Sequence, residues 1–217
     1  VTPSEAVVTI AEFSYLPHSS ERTRLEVADG EGPRLASDWQ EPGAKRIAAQ
    51  LLALPASSSL EARVVTESGE ELGSAEFETG PLPSEVPDFT LEGEPGWSGY
   101  YFTGVMGAVK VALVLTERGE VAWYHVAPED LVLSRVRLRP DGGGVTYIMA
   151  PGVNDHLQYL SSVDWNSPVE TRFAQELSVT HDFVFLPDDT IATLVTTRVK
   201  RAGLSYIGGG LVELAAD

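Results

Sequence analysis

The sequence predicts an all-β chain: an antiparallel sandwich at residues 1–86, a linker at 87–96, and an incomplete β-propeller of two to three blades at 97–217. Three observations carry this expectation. Short β-rich runs alternate with Gly, Pro, Asp and Ser clusters along the whole chain, the texture of antiparallel sheets. In the second half, a unit of strand, Gly-containing turn and strand recurs at intervals of about 40 residues, the length of a propeller blade. Between the halves, Pro81, Pro83, Pro87 and Pro95 punctuate a polar stretch, which leaves an extended linker with little helix or central strand.

The elements follow in order. Val8, Ile10 and Phe13 mark a first strand, and Arg22 to Val27 a second, closed by Asp29-Gly30-Glu31-Gly32-Pro33. Lys45 to Leu54 is alanine-rich enough to resemble a helix, but Pro55-Ala56-Ser57-Ser58-Ser59 stops it and alternation resumes at once. Leu60, Ala62 and Val64 then share one face, with Glu61, Arg63 and Val65 on the other. Glu67-Ser68-Gly69-Glu70 turns the chain into Leu72 to Phe77. From Trp97 onward, strands are expected at Tyr100 to Phe102, Val109 to Leu115, Val121 to His125, Ser134 to Leu138, Val145 to Met149, Tyr159 to Asp164 and Val169 to Phe173. Asp141-Gly142-Gly143-Gly144 and Gly208-Gly209-Gly210 both read as turns. Neither is a phosphate loop, because no helix follows and no lysine is placed for one.

Composition excludes several classes of function. The 217 residues carry a net charge of −17, with −12 of it in residues 1–96. Nucleic acid and anionic membrane surfaces both demand a cationic footprint, so neither is an expected partner. No apolar run is long enough for a membrane span. With no cysteine there is no disulfide, no thiolate catalysis and no cysteine-ligated metal or cluster. A start at Val1 without a signal peptide suggests a processed or trimmed chain. Leu211 to Asp217 reads as a strand running into the next turn, as part of something larger.

The pattern centres on the run from Val179 to Thr197, where two β-rich segments flank Pro187-Asp188-Asp189-Thr190. Proline followed by two aspartates and threonine suits a tight turn, so the run is a hairpin. His181 and Asp182 open its first strand, and a propeller blade begins its first strand nearest the central channel. His181 is therefore a candidate channel ligand for an anionic substrate, with Asp182 as the orienting carboxylate. The competing reading is a hydrogen-bonded structural histidine. Arg135, Arg137 and Arg139 alternate with Val136 and Leu138, so all three are expected on one face, as an oxyanion site or as a solvated face. His156 with His181, flanked by Asp155 and Asp182, lacks the spacing of a metal site, and no cofactor is expected. His125 is expected at the surface or a blade edge, and His18 in a loop.

Two resemblances add to this. Leu52 to Pro55, Leu60 to Thr66 and Phe77-Glu78-Thr79-Gly80-Pro81-Leu82-Pro83 resemble an Ig-like fold of the fibronectin type III kind, although Leu60 stands where such domains usually carry tyrosine. Three further segments, in order, resemble the bacterial arylsulfotransferase-like propeller proteins. They are Leu115 to Tyr124, Arg137-Leu138-Arg139-Pro140-Asp141-Gly142, and Thr180-His181-Asp182-Phe183 through Leu186-Pro187-Asp188-Asp189-Thr190. Members of that family tend to carry a small β-sandwich ahead of the propeller. The resemblance implies sulfuryl transfer between phenols in an extracytoplasmic setting, periplasmic or secreted, with an aryl sulfate as the small-molecule partner. A channel histidine takes the sulfuryl group, and other histidines and an arginine stabilise the charged oxygens. His181-Asp182 matches one of the family's channel histidines. The family's later "His-x-Asn-Ser" and "Ser-x-Arg" segments do not occur in this chain. The alternative is a non-catalytic module for binding or extracellular assembly. On either reading two or three blades leave open flanks, with apolar strands such as Val111 to Leu115 and Ile191 to Val195 expected as bare edges, so the rest of the ring, from downstream residues or a second polypeptide, is the expected partner, and the chain alone is expected to oligomerise or aggregate.

Overall fold

The computed structural model describes the chain apart from residues 30–32, 44–45, 89, 91, 94–97, 106–108, 129–130, 152–157 and 216–217, and apart from the side chains of 33 and 34. The Gly30 to Gly32 turn, much of the expected linker, Asp155 and His156 therefore lie outside the described residues. The chain is all-β, and no described residue is helical. It divides into two compact units: Val1–Ser84 with Arg118–Trp123, and Glu85–Glu117 with Tyr124–Asp217.

The first unit is a sandwich of two antiparallel sheets. One orders β1 (Thr2–Pro3), β2 (Ala11–Tyr15) and β5 (Ile47–Leu51) as β1-β2-β5. The other comprises β3 (Thr23–Ala28), β4 (Pro33–Ala36), β6 (Ser59–Thr66) and β7 (Glu71–Glu78), in the order β4-β3-β6-β7. Period-two alternation sets the faces: Ala11 and Phe13 of β2 point inward while Glu12 and Ser14 face out. Leu25, Val27, Leu60 and Ala62 meet them from the second sheet, and the Phe13 and Phe77 rings pack edge-on at 5.6 Å. Each such buried Leu, Val or Phe contributes about 1.5–3 kcal/mol. The expected β6–β7 turn is present. Gly69 takes φ 89°, which glycine adopts without a Cβ penalty, and Thr66 Oγ1 accepts the Glu70 N–H at 3.0 Å. Within this unit the Ala122 carbonyl accepts from Thr9 Oγ1 at 2.9 Å and from the Ala53 N–H at 3.2 Å. Composition does not announce that attachment of Arg118–Trp123 to the N-terminal unit.

The second half forms three propeller-like antiparallel sheets, and no closed barrel is present among the described residues. The first contains β8 (Tyr100–Val105), β9 (Val111–Thr116) and β10 (Val121–Val126), in the order β10-β9-β8. The second contains β11 (Leu131–Leu138), β12 (Gly144–Pro151), β13 (Tyr159–Asp164) and β14 (Glu170–Phe173), in chain order. The third contains β15 (Val179–Phe185), β16 (Ile191–Arg201) and β17 (Leu204–Leu214), again in chain order. The first strands of the three sheets lie together: β11 contacts both β8 and β15. Gly104 of β8 is a close approach, since a Cβ there would stand 2.9 Å from Leu133 Cδ2. Ile148 and Leu160 of the second sheet pack against Val179, Phe183 and Ile191 of the third.

Two expectations need correction. Gly208-Gly209-Gly210 is not a turn: the three glycines lie inside β17, opposite Thr197, Thr196 and Val195 of β16, and the chain reverses instead at Ala202-Gly203. The pairing of two eleven-residue strands outweighs the local preference of the glycines. The apolar runs Val111 to Leu115 and Ile191 to Val195 are not bare edges, because they lie in β9 and β16, the central strands of their sheets. The hairpin turn at Pro187 to Thr190 is as expected. Leu186 N–H donates to Thr190 O at 2.8 Å, and Asp188 Oδ1 accepts from Thr190 Oγ1 at 2.7 Å.

Candidate functional site

His181 sits on β15, a first strand, and its neighbour across the sheets is β11, another first strand. Both strands break register at the same place. On β11 the pairing jumps from Ser134↔Ile148 to Arg137↔Thr146, and on β15 from Val179↔Val195 to Phe183↔Thr193. Each bulge carries a non-glycine residue in the left-handed region, Arg135 at φ 55° and His181 at φ 65°. Such a conformation costs about 1 kcal/mol or more and persists only where the surroundings over-determine it. Here the two bulges hold each other: Arg135 Nε donates to the His181 carbonyl at 2.8 Å. One residue further, Arg137 Nη2 donates to Asp182 Oδ1 at 2.9 Å.

The bulges correct the expectation for the three arginines. The extra residue on β11 ends strict alternation, and Arg139 parts from the other two, which both reach β15. Arg135 binds backbone on β15 and Arg137 pairs with Asp182, whereas Arg139 is ion-paired with Asp141 and Asp164 in the β11–β12 turn region. Gly143 N–H also binds Asp141 Oδ1, at 2.9 Å, so Arg139 and its partners build that turn.

Asp182 is engaged by its surroundings rather than by the imidazole. Its Oδ1 accepts from Arg137 and from the Phe183 N–H at 2.9 Å, and its carbonyl accepts from Thr193 Oγ1 at 3.0 Å. Burial pushes the carboxyl upward, but the Arg137 hydrogen bond and the Phe183 N–H outweigh it and hold the group below the ordinary aspartate value. The His181 ring is exposed and makes no hydrogen bond among the described residues. The structure thus joins His181 to Arg135 and Asp182 to Arg137. Beside Arg135 and Arg137, a cleft of about 430 Å³ opens between β8 and β11, with Thr103 and Ser134 adding hydroxyls. In a strongly acidic chain, this cleft presents guanidinium groups and hydroxyls; His181, whose ring is exposed, sits on the adjoining β15 and is not among the residues lining the cleft. That set suits an oxyanion.

His125 lies on β10, the edge strand of its sheet, as one of its two expected placements had it, but the buried constellation around it was missed by the sequence reading. The His125 side chain is only 11% exposed, and its Nε2 lies 2.9 Å from Glu170 Oε1. The same oxygen accepts from Tyr147 OH at 2.9 Å, while Ser161 Oγ and Arg172 approach Glu170 Oε2 at 3.4 Å. The His125 and Tyr147 rings stack at 5.8 Å. Burial pushes the Glu170 carboxyl upward, but His125 and Tyr147 prevail and hold it below the ordinary glutamate value. Burial first, and the Glu170 charge second, push the Tyr147 hydroxyl far above its ordinary value. His125, Tyr147, Ser161 and Arg172 converge on this one carboxylate. Its chemistry is cohesive.

Among the described residues, no group of three or more His, Asp or Glu is arranged to hold a metal ion, and no helix is long and apolar enough to cross a membrane. The pairing of His156 with His181 lies outside the described residues. No protein-family model matches the chain, and no curated protein matches it significantly.

Proposed function

We propose that the chain is a portion of an arylsulfotransferase-like propeller protein acting outside the cytoplasm, in which residues 97–217 supply blades and His181 faces an aryl sulfate. One observation supports this above the others: the paired bulges of β11 and β15, which bond Arg135 to the His181 backbone carbonyl and leave the His181 ring exposed. In the transfer, the bond from sulfur to the donor phenol oxygen breaks and the phenolate departs, while sulfur bonds to a histidine nitrogen. The acceptor phenol then takes the sulfuryl group and gives up its proton. Negative charge gathers on the sulfuryl oxygens and the departing phenolate, where donors fixed in advance stabilise it. His181 and Arg135 serve as those donors. The histidine that accepts sulfur belongs to the "His-x-Asn-Ser" segment that resemblance places downstream.

A second reading, a non-catalytic binding or assembly module, is favoured by one feature. Asp182 is committed to Arg137, so no carboxylate fixes the tautomer of His181. The experiment is release of 4-nitrophenol from 4-nitrophenyl sulfate, with a phenol as acceptor, by the protein carrying the downstream strand. Replacing His181 by Ala lowers kcat/KM about 10²-fold, the scale of one oxyanion donor. Unchanged rates remove His181 from the site, and no turnover by the unsubstituted protein leaves the binding module.

A further inference from the structure

A cleft of about 560 Å³ opens between the second and third sheets, within the second unit, and the sulfuryl-transfer reading leaves it unused. Small-molecule sites span about 300–1,000 Å³. The lining residues run from Arg139 to Ile191 and include none of β17. A strand following Leu214 in the same sheet would lie beyond β17, about 10 Å from β16.

Side-chain pattern explains why the two sheets part here. Thr146 and Ile148 share one face of β12, Ser162 and Leu160 one face of β13, and Thr171 and Phe173 one face of β14. Ile148 and Leu160 pack against Val179, Phe183 and Ile191, so this face is the one turned to the third sheet. Along it, the register sets Thr146 opposite Ser162 and Ser162 opposite Thr171. Apolar side chains at these three places would continue the dry interface, but the sequence supplies three hydroxyls. Thr146 is 1% exposed and its Oγ1 lies 2.5 Å from Ser162 Oγ, so the buried hydroxyl fixes the one beside it. Next to the hydroxyl row the lining is aromatic. Phe173 and Phe185 are partly buried against the interface cluster, and the Phe185 ring is held edge-on by Phe183 at 5.7 Å.

We infer that this cleft binds a neutral saccharide. A sugar ring carries hydroxyls, each a donor and an acceptor, around a body of C–H groups. Ser162 and Thr171 offer hydroxyls of the same dual character, and the Asp141 and Asp189 carboxylates of the lining accept. The C–H body covers the two phenylalanine rings, which removes apolar surface from water on both partners. Charge decides against other classes of ligand. The guanidinium groups of Arg139 and Arg172 are matched by the carboxylates of Asp141 and Asp189, so the charged lining sums to zero. An anion or a cation would leave one of those pairs uncompensated. A wholly apolar ligand would strip water from the hydroxyl row and give its members nothing to bond.

The inference stands apart from the sulfuryl-transfer reading. Its test titrates the methyl glycosides of glucose, galactose, mannose and N-acetylglucosamine singly into residues 1–217 and into the protein carrying the downstream strand. At least one glycoside is expected to take saturation transfer from phenylalanine ring protons and to give saturable NMR shifts of the Thr146, Thr171 and Ile191 methyls. The same shifts are expected in both proteins, with a Kd in the millimolar range or below, and 4-nitrophenyl sulfate should not displace the sugar. Ser162→Ala and Thr171→Val are each expected to raise that Kd about 3–10-fold, the scale of one hydrogen bond, with unchanged circular dichroism. Phe173→Leu, which removes a ring and keeps an apolar side chain, should raise it about tenfold. Val184→Thr, on the face of β15 opposite Phe183 and Phe185, should leave it unchanged. The proposal is overturned by no saturable shift with any of the four glycosides, or by affinity indifferent to Ser162→Ala and Thr171→Val. Equal weakening by Val184→Thr, displacement by 4-nitrophenyl sulfate, or loss of binding when the downstream strand is present would overturn it as well.

Discussion

Replacing Glu170 by Ala is the most informative perturbation of the fold. Its carboxylate side chain is 9% exposed and holds His125, Tyr147, Ser161 and Arg172, which come from β10, β12, β13 and β14. Truncation leaves the Tyr147 hydroxyl, on a residue with no exposed surface, without this acceptor, and weakens the hold on His125. Each buried polar group left without a partner costs about 1–3 kcal/mol, so with Tyr147 and His125 both losing this acceptor the expected loss is about 2–4 kcal/mol. For a chain of this size that is a fall in Tm of roughly 10 °C. Urea unfolding followed by tryptophan fluorescence measures it. The pH dependence supplies an independent check. Because the folded Glu170 pKa is depressed, the unfolded chain binds the proton more readily. The stabilisation is therefore full above the ordinary value of 4.5 and is lost as pH falls through the lower folded value. Glu170→Gln should flatten that acid limb. A loss under about 1 kcal/mol for Glu170→Ala at neutral pH, with the acid limb unchanged, would refute the reasoning.

Two further substitutions test separate parts of the account. Gly144→Ala would place a Cβ 2.1 Å from the Val163 carbonyl oxygen and 2.8 Å from Asp164 Cα, both backbone atoms that cannot swing aside. A loss of about 3 kcal/mol or more is expected by urea unfolding, and tolerance would mean that β12 and β13 lie further apart. Asp182→Asn removes an ion pair whose partners are both nearly half exposed, so stability should change by less than about 1 kcal/mol. A larger loss would mean that the Arg137–Asp182 contact carries the packing of β11 on β15.

Legibility in the sequence followed the range of the interactions. The Pro187 to Thr190 turn was readable because its bonds stay within the hairpin, from Leu186 to Thr190 and from Asp188 to Thr190. The inward face of β6 was readable because Leu60 and Ala62 alternate with polar neighbours. The site was readable only in part. His181 stood out as an ionisable residue in an apolar strand, but nothing local announces a left-handed φ at a histidine or an arginine. Those conformations depend on a bond between residues 46 positions apart. The burial of His125 was illegible for a related reason, since its partner Glu170 is 45 positions away. The Gly208 to Gly210 run misled because turn preference is local, whereas the ladder with β16 is built along the whole strand.

The central claim is that the paired bulges make an oxyanion site from Arg135 and His181. Titration of 4-nitrophenyl sulfate into residues 1–217, followed by NMR of the arginine Nε–H and histidine ring signals, tests it most directly. The account predicts saturable shifts at Arg135 and His181 with little change at Arg139, whose guanidinium is held by Asp141 and Asp164. It also predicts a Kd raised at least about tenfold by Arg135→Ala, the scale of one charge-assisted hydrogen bond of about 1.5–3 kcal/mol. Absence of saturable shifts, or equal affinity in the Arg135→Ala and His181→Ala proteins and the unsubstituted chain, would contradict it.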